Sequence, residues 1–399
     1  MTHDDPLLRW RDEFPITKRS RYLISNSLGA MPARARRSLE AYADSWDRRG
    51  VRAWAEGWWV LQDEVAGDLE RILGVPPRSV SMHQNVAMAS EAIASCFRFD
   101  GPRRRIVLTE LNFPSVMYLY EARRAHGAEI VRVPANAEGN GVDLQRLLDA
   151  IDERTLLVPL DHVLFRSSFV QDARAVIEKA RRVGAFVILD VFQSVGTMPL
   201  ALHEWGAHAA VGGALKFLCG GPGNGFLYVD PDLRSQLRPA FTGWAAHKEP
   251  FAFSAAGQDY RDDGGRFLNG TPNVPALHAG RDGIAIVAGI GLPAIRAKSQ
   301  RQTQAIVELA RRRGLAVHSP LAPEQRGGHV TLAVPHGYEV CQVLLAEDFV
   351  VDYRRNAGIR VAPHFYTTDE DCLATVDRIA EILETRAYER YLGQERRPG

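Results

Sequence analysis

Short apolar runs alternate with helical patterns of apolar residues through the middle of the chain. Each run is too short for a helix and ends in polar or small residues, whereas the segments between the runs repeat apolar residues at helical spacing. This alternation predicts a mostly parallel sheet covered by helices on both faces. The strands of this sheet are expected at residues 79–82, 105–109, 129–133, 156–160, 186–190, 209–211 and 225–229. The helices between them are expected at residues 88–97, 116–126, 142–151 and 172–183.

The pattern differs at the two ends of the chain. Near the N-terminus, an extended arm enters a polar turn at residues 25–29, and two segments with helical periodicity follow at 34–49 and 53–73. Near the C-terminus, one or two long helices at 281–313, interrupted at 289–293, precede short strands and a final helix. These last elements are expected at residues 316–318, 329–334, 350–353 and 370–391.

Together these patterns predict an α/β fold with three parts. An N-terminal arm and helix is expected at residues 1–50, and a large domain with the mostly parallel central sheet at 51–280. A long helix with a smaller C-terminal α+β domain is expected at 281–399. In this kind of sheet, ligands bind outside the carboxyl ends of the strands.

The composition is that of an ordinary globular protein. Of the 399 residues, 46% are hydrophobic and 24% are charged, and the net charge of +1 gives no electrostatic reason to expect a nucleic-acid or membrane partner. No apolar run is long enough to cross a bilayer, and the acidic, polar N-terminus is unlike a signal peptide, so the cytoplasm is the expected compartment. The four cysteines lack the spacing of a zinc site, so we expect neither disulfides nor a bound metal ion.

One lysine stands in an unusual setting. The chain has only five lysines among its 49 basic residues, yet Lys216 lies between an apolar run with two glycines and a Gly- and Pro-rich loop at 220–225. A chain that otherwise uses arginine would keep a lysine there for chemistry that arginine cannot perform. The main chemistry of this kind is nucleophilic, since a lysine amine can lose its proton and form a Schiff base. The alternative is a surface lysine in a turn.

Polar and aromatic residues follow the predicted strands where ligands bind. They are Asn85, Phe113, Ser115, His162, Asp190 and Gln193. In addition, the backbone N–H groups where a helix opens at residues 84–87 could hold an anion.

Pyridoxal phosphate is a cofactor whose requirements these residues meet. It needs an amine for its aldehyde, an acid beside its ring nitrogen, an apolar face against the ring and donors for its phosphate. Lys216, Asp190 and Phe113 supply the first three, and His162 could also pack on the ring. Each has a structural alternative, because Asp190 could cap a turn and the two rings could belong to the core. Their co-occurrence at successive strand ends favours the cofactor.

Several short blocks carry a family resemblance. They are Asn26-Ser-Leu-Gly, Phe113-Pro-Ser, Asp190-x-x-Gln, Lys216-Phe-Leu-x-Gly-Gly-Pro-Gly, Gly243-Trp-x-x-His, Arg266-Phe-Leu-x-Gly-Thr-Pro and Gly358-Ile-Arg-x-x-Pro. Through these blocks the chain, from about residue 20 to 385, resembles the kynureninase branch of the class V, fold-type-I pyridoxal-phosphate enzymes.

The resemblance implies how the cofactor is held. Lys216 forms the Schiff base and later moves protons, Asp190 binds the pyridine nitrogen, and Phe113 stacks on the ring. The blocks also imply further cofactor-binding residues, some of which hold the phosphate. These further residues are Gln84, Asn85, Val86, Ala87, Ser115, His162 and Gln193, with Trp244 and Thr271 contributed by the partner subunit of a homodimer.

The resemblance also implies a substrate and a reaction. Arg360 takes the α-carboxylate of an amino acid as a bidentate pair, and Asn26 and Ser27 lie near the substrate. A kynureninase-like enzyme hydrolyses the Cβ–Cγ bond of a γ-keto amino acid of the kynurenine type. The products are alanine and an aryl acid such as anthranilate.

The chain departs from the kynureninase pattern at specific positions. Leu215 stands where those enzymes usually have a tyrosine before the lysine, Gln193 stands where they usually have a histidine, and Leu164 and Phe165 replace a more polar pair. A class V aminotransferase, epimerase or carbon–sulfur lyase therefore remains an alternative. A desulfurase would need a cysteine on a loop such as 321–328, which has none, and a non-enzymatic scaffold would have no use for Lys216, Asp190 and Arg360 together.

Overall fold

The computed structural model describes residues 5–394 as an α/β protein with sheets of seven, four and two strands, which confirms the predicted fold class. The strands are β1 (Arg21–Tyr22), β2 (Val80–His83), β3 (Arg105–Thr109), β4 (Glu129–Val133), β5 (Thr155–Asp161), β6 (Phe186–Asp190), β7 (Ala209–Gly213), β8 (Gly225–Val229), β9 (Ala316–Val317), β10 (Val330–Ala333), β11 (Phe349–Val350), β12 (Asp352–Arg354) and β13 (Gly358–Val361). The α-helices are α1 (Ala33–Arg49), α2 (Trp59–Leu73), α3 (Val86–Ala94), α4 (Pro114–Glu121), α5 (Leu144–Ala150), α6 (Ala173–Val183), α7 (Val274–Ile290), α8 (Leu292–Arg312), α9 (Gly337–Ala346) and α10 (Asp369–Thr385).

The large sheet has seven strands in the order β2-β8-β7-β6-β5-β3-β4. Only β8 runs antiparallel to its neighbours, and the other pairs are parallel. Residues alternate between the two faces: Val187 and Leu189 of β6 belong to one hydrophobic cluster, and Ile188 belongs to another. Both clusters are completed by helices, so the sheet is buried on both faces as the apolar runs predict.

The C-terminal part has its own antiparallel sheet, in the order β12-β13-β10-β9, and its own hydrophobic cluster. The N-terminal arm is tied to it, because β1 pairs with β11 and Leu23 belongs to the same cluster. Next to this pairing, Gly29 lies against the loop that carries Lys216. A Cβ atom on Gly29 would lie 2.1 Å from the Lys216 carbonyl oxygen, so only glycine allows this approach.

Some element bounds differ from the predictions. The long helical region begins at Val274 rather than at residue 281, since Pro275 suits the first turn of a helix. The predicted strand at 350–353 is two short strands, β11 and β12, and the strand β13 was not predicted. Among residues 5–394, no helix combines the length and the apolar character that crossing a membrane requires.

Candidate functional site

A cavity of about 200 Å³ opens at the carboxyl edge of the large sheet. Strands β5, β6 and β7 are parallel, so the residues that follow them emerge at this common edge. The residues that line the cavity are Val86, Phe113, Asp161, Val163, Phe165, Asp190, Phe192, Gln193, Leu215 and Lys216. The cavity therefore brings together four predicted site residues, Lys216, Asp190, Phe113 and Gln193, in addition to Val86 from the start of α3.

Lys216 lies in the loop between β7 and β8 with its amine among aromatic rings. Its Nζ atom is 4.2 Å from the ring centroid of Phe192 and 5.7 Å from that of Phe113. Burial and the nearby Arg360 guanidinium lower the pKa of Lys216 to about 8, against the opposing effect of Asp190 and Asp161. A lysine with this pKa has a substantial neutral, nucleophilic fraction near neutral pH.

Asp190 ends β6 and is buried at the cavity. Its Oδ1 atom accepts a hydrogen bond of 2.8 Å from the backbone N–H of Phe192. Burial raises the pKa of Asp190, while the Phe192 N–H and Lys216 oppose the rise. A buried carboxylate is costly unless it has a partner, and a protonated ring nitrogen of a ligand is a suitable one.

Asp161 is a cavity residue that the sequence reasoning missed. It ends β5 in direct register with Asp190, and its carboxylate accepts hydrogen bonds of 2.7 Å from the Asn112 side chain and from the Phe113 N–H. Burial first, and then the Asp190 carboxylate, raise the pKa of Asp161. The signal that identified Asp190, an acid at the end of an apolar run, is also present in 155–161 and could have found Asp161.

Phe113 and Gln193 also line the cavity. Phe113 packs edge-on against Phe165, with ring centroids 5.1 Å apart. Gln193 is buried, and its Nε2 donates to the Asn26 carbonyl oxygen at 3.1 Å. Its Oε1 has no hydrogen-bond partner among residues 5–394, which leaves a polar atom available for a ligand.

The start of α3 supplies the remaining cavity contact. Val86 lines the cavity, and the Asn85 side chain caps the helix by accepting from the Met88 N–H at 3.0 Å. Gln84, Asn85 and Ala87 are exposed. Strand β8 approaches this turn closely, because a Cβ atom on Gly225 would lie 2.5 Å from the Asn85 carbonyl carbon.

Besides Gln84, Asn85 and Ala87, four predicted cofactor-binding residues do not line this cavity. His162 is buried beside it, where its Nδ1 lies 3.0 Å from the Ser194 hydroxyl, and burial lowers its pKa to about 4. Ser115 is exposed in the first turn of α4. Thr271 shares a small pocket of about 50 Å³ with Gln84, and Trp244 packs in an aromatic cluster on the surface. The cofactor contacts of these four residues stay predictions.

Arg360 lies in β13 and is buried, and each of its three guanidinium nitrogens donates a hydrogen bond. It forms two hydrogen bonds with Asp352, its cross-strand partner in β12, at 2.8 and 2.5 Å. Its Nη1 donates to the Phe165 carbonyl oxygen at 2.7 Å. The Asn26 carboxamide, with its oxygen turned to Arg360, accepts from Nε and Nη1 at 3.0 and 3.2 Å. The neighbouring Ser27 is half-buried in a turn that its N–H closes onto the Ile24 carbonyl oxygen.

The residues around the cavity fit pyridoxal phosphate. The amine has a lowered pKa, a buried carboxyl group is available for a ring nitrogen, and aromatic rings flank the amine. The unpaired Gln193 oxygen and the open start of α3 add polar groups at the rim. These features meet the requirements of the cofactor in one place.

Comparisons with known proteins agree with this chemistry. The model of the class-V aminotransferase family matches residues 60–361 of the chain. The kynureninase of Burkholderia mallei (strain SAVP1) is 30% identical over 97% of this chain and 95% of its own length. The kynureninase of Pseudomonas fluorescens is 28% identical over 96% of this chain and 94% of its own length.

Solved structures show the same fold. The apo structure of the cysteine desulfurase from Thermococcus onnurineus NA1 superposes with a TM-score of 0.83 at 19% identity, covering 94% of this chain and 98% of that one. The C-DES protein with glycine covalently linked to its PLP cofactor superposes with a TM-score of 0.84 at 20% identity, covering 93% and 99%. The chain belongs to the class-V aminotransferase family, as a kynureninase-like enzyme that depends on pyridoxal 5′-phosphate.

Proposed function

We propose that the chain is a hydrolase that cleaves the Cβ–Cγ bond of a kynurenine-type γ-keto amino acid to alanine and an aryl acid. The observation that carries this proposal is the apolar, largely aromatic lining of the cavity beside Lys216, contributed by Phe113, Phe165, Phe192, Val163 and Leu215. Such a lining suits an aryl side chain better than a charged one. The full-length similarity to kynureninases supports the same choice.

The residues at the sheet edge would bind and orient the cofactor. Bound pyridoxal phosphate supplies an aldehyde for amines and a ring that accepts electrons from bonds at the substrate α- and β-carbons. Lys216 would hold it covalently and afterwards take and return the proton at the substrate α-carbon. Asp190 would keep a proton on the ring nitrogen, Phe113 would cover one ring face, and the start of α3 would receive the phosphate.

The residues of the arm and the small sheet would select the substrate. Arg360 would bind the α-carboxylate through its planar guanidinium, next to Asn26. Asp352 accepts from Nε and Nη2 of this guanidinium, so the substrate would take the place of the Phe165 carbonyl at Nη1 or of the Asn26 oxygen at Nε and Nη1. Leu215 adds an apolar side chain to the cavity wall beside Lys216 and has no proton to transfer. Proton transfer at the α-carbon would therefore be left to Lys216.

We also propose a homodimer whose sites are completed across the interface. Trp59, Trp244, Phe251 and Phe253 form a cluster of aromatic rings, and Phe251 and Phe253 are 57% and 73% exposed. An exposed aromatic patch of this kind is typical of an interface. In such a dimer Trp244 and Thr271 would reach the partner's cofactor.

The desulfurase alternative has less support. It needs an accessible cysteine near the substrate, and none of the four cysteines lines the cavity. Cys219, three positions from Lys216, is buried, and burial raises its pKa well above the ordinary value. A buried thiol of raised pKa is a poor nucleophile.

The reaction is tested with purified holoenzyme. We expect kynurenine or 3-hydroxykynurenine to yield equal amounts of alanine and the corresponding aryl acid, with no product from the Lys216→Ala variant. Turnover of other amino acids with a keto-acid acceptor, without cleavage of either kynurenine, would show an aminotransferase instead. The dimer is tested by mixing Lys216→Ala and Trp244→Ala subunits, which should recover activity only if the two residues act across the interface.

A further inference from the structure

Two acids stand side by side at the carboxyl ends of β5 and β6. Asp161 and Asp190 are register partners in adjacent parallel strands, so their Cα atoms lie about 5 Å apart, the spacing of neighbouring strands. Both carboxyl groups line the cavity that contains Lys216. Asp190 has a proposed role at the ring nitrogen, but no role has been given to Asp161. A second buried acid in the same cavity costs free energy, so its presence needs an explanation.

Asp161 fixes the turn that carries Phe113. One carboxylate oxygen accepts from the Asn112 Nδ2 and the other from the Phe113 backbone N–H, both at 2.7 Å. Asn112 is itself held, because its Oδ1 accepts from the N–H and the hydroxyl of Thr109 at 2.7 and 2.9 Å. This chain of hydrogen bonds runs from the end of β3 to the end of β5, and it sets Phe113 over the cavity.

The two acids cannot both be ionised without repelling each other. Like charges at this separation in a buried cavity disfavour each other, so one member of the pair retains a proton. Burial raises the pKa of both acids, and the Asp190 charge additionally raises the pKa of Asp161. The other titratable groups that act on the pair are Lys216, which favours the charged forms, and Tyr120 of α4, a buried phenol beside Asp190.

We propose that Asp161 is a positioning residue of the cofactor site, which shares one proton with Asp190, so that the pair keeps a single negative charge toward the ring nitrogen, and which holds Phe113 over the ring. This inference rests on the cofactor contacts proposed for Asp190 and Phe113 and is independent of the substrate. Its test therefore measures the cofactor rather than kynurenine cleavage, so the two proposals fail separately.

The test compares Asp161→Asn with wild-type holoenzyme. Asparagine keeps the size and one acceptor but can neither hold the proton nor become charged. We expect the dissociation constant for pyridoxal phosphate to rise about tenfold, because asparagine can accept only one of the two hydrogen bonds that Asn112 and the Phe113 N–H donate to Asp161. We also expect the pH midpoint of the absorbance of the bound cofactor to fall by about one unit, because the wild-type pair loses its shared proton at alkaline pH and the added negative charge then stabilises positive charge at Lys216.

The matched control is Asp230→Asn. Asp230 is also buried and caps a turn, by accepting from the Asp232 N–H at 3.0 Å, but it follows β8 at the opposite edge of the sheet. It should leave both the midpoint and the dissociation constant at wild-type values. If Asp161→Asn leaves both quantities unchanged, or moves them no further than Asp230→Asn does, the proposal is wrong.

A measurement on the wild-type protein keeps the proposal testable if the variant does not fold. Infrared difference spectroscopy of the holoenzyme should detect a protonated buried carboxyl group at neutral pH, and the signal should disappear at alkaline pH. The absence of a protonated carboxyl group at neutral pH would contradict the shared proton.

Discussion

The proposed cofactor side of the site, around Lys216 and Asp190, and the proposed carboxylate side, where Arg360 would bind the substrate carboxylate, differ in how many of their polar atoms already have hydrogen-bond partners. On the cofactor side, the Gln193 Oε1 has no hydrogen-bond partner among residues 5–394. The lining of the cavity there includes two carboxyl groups, those of Asp161 and Asp190, beside the amine of Lys216. On the carboxylate side, Arg360 is bound by Asp352, by the Phe165 carbonyl and by Asn26. The first side can take a ligand without losing contacts, whereas the second must exchange one partner for another.

This difference indicates separate tasks for the two sides. The sheet edge is preorganised for one charged group, which suits a cofactor that stays bound through many turnovers. Arg360 joins the arm, the loop after β5 and the small sheet, so a substrate that displaces one of these contacts changes how the three segments are held together. Variants on the two sides should therefore affect different measured quantities.

The largest effect is expected at Lys216. Lys216→Ala removes the only side-chain amine among residues 5–394 that lines the cavity, so turnover should fall by at least about 10⁴-fold, the upper range for a single acid–base group. The absorbance band of lysine-bound cofactor should disappear as well. Lys248→Ala, at an exposed lysine, is the matched control and should retain both activity and band.

The next effect separates the two sides directly. Arg360→Ala should raise the KM for the amino-acid substrate about 10- to 100-fold, the value of a charge-assisted hydrogen bond, and leave the cofactor dissociation constant nearly unchanged. It should also lower the free energy of unfolding, by up to about 3–5 kcal/mol, since the buried Asp352 then keeps Arg354 as its remaining charged contact.

The control for this variant is Arg354→Ala. Arg354 also forms an ion pair with Asp352, at 2.9 Å, but is not among the residues proposed to bind the substrate. A double-mutant cycle with Asp352→Asn then isolates the pair. Equal losses of substrate and cofactor affinity in Arg360→Ala would contradict the separation of the two sides.

A pH effect on the apo-protein follows from the lowered pKa of Lys216. Its pKa is about 8 in the folded protein, against 10.5 as the ordinary value, so between these pH values the unfolded chain binds a proton that the folded chain does not. The contribution of Lys216 to the free energy of unfolding should therefore rise by about 3 kcal/mol from pH 8 to pH 10.5. Urea unfolding of wild type and Lys216→Met, compared at both pH values, measures it. A rise of the same size in both proteins would rule out this origin.

The smallest effect is expected at Gln193. Gln193→Leu should weaken cofactor binding about three- to tenfold, the worth of one neutral hydrogen bond. Gln302→Leu is the control, because Gln302 is a buried glutamine of α8 whose Oε1 also has no partner among residues 5–394. Equal cofactor affinity in Gln193→Leu and Gln302→Leu would show that the unpaired oxygen of Gln193 does not face the ligand.

Strand composition explains how much of the fold could be predicted from the sequence. Strands β3, β4, β6 and β8 have the predicted bounds because each is an apolar run with polar or glycine boundaries. Strand β13 was missed because it has four residues and carries the charged Arg360, whose burial depends on Asp352 in the neighbouring strand. Such a pairing is a tertiary contact that periodicity does not report.

The side-chain alternation of strands explains the outcome at the site. Asp161 and His162 are adjacent at the end of β5, so their side chains point to opposite faces, and only Asp161 reaches the cavity. The sequence reasoning chose His162 for its chemistry and passed over the acid before it. Lys216, Asp190, Phe113 and Gln193 meet in the cavity because each follows a strand at the same edge, which the sequence pattern does predict.

The covalent attachment of the cofactor tests the central claim most directly. Holoenzyme is treated with borohydride to make the bond between cofactor and protein permanent, digested, and analysed by mass spectrometry. The account predicts a pyridoxal phosphate label on Lys216 and on none of the other four lysines, Lys18, Lys179, Lys248 and Lys298. A label on another lysine, or no label on the reduced holoenzyme, would contradict it.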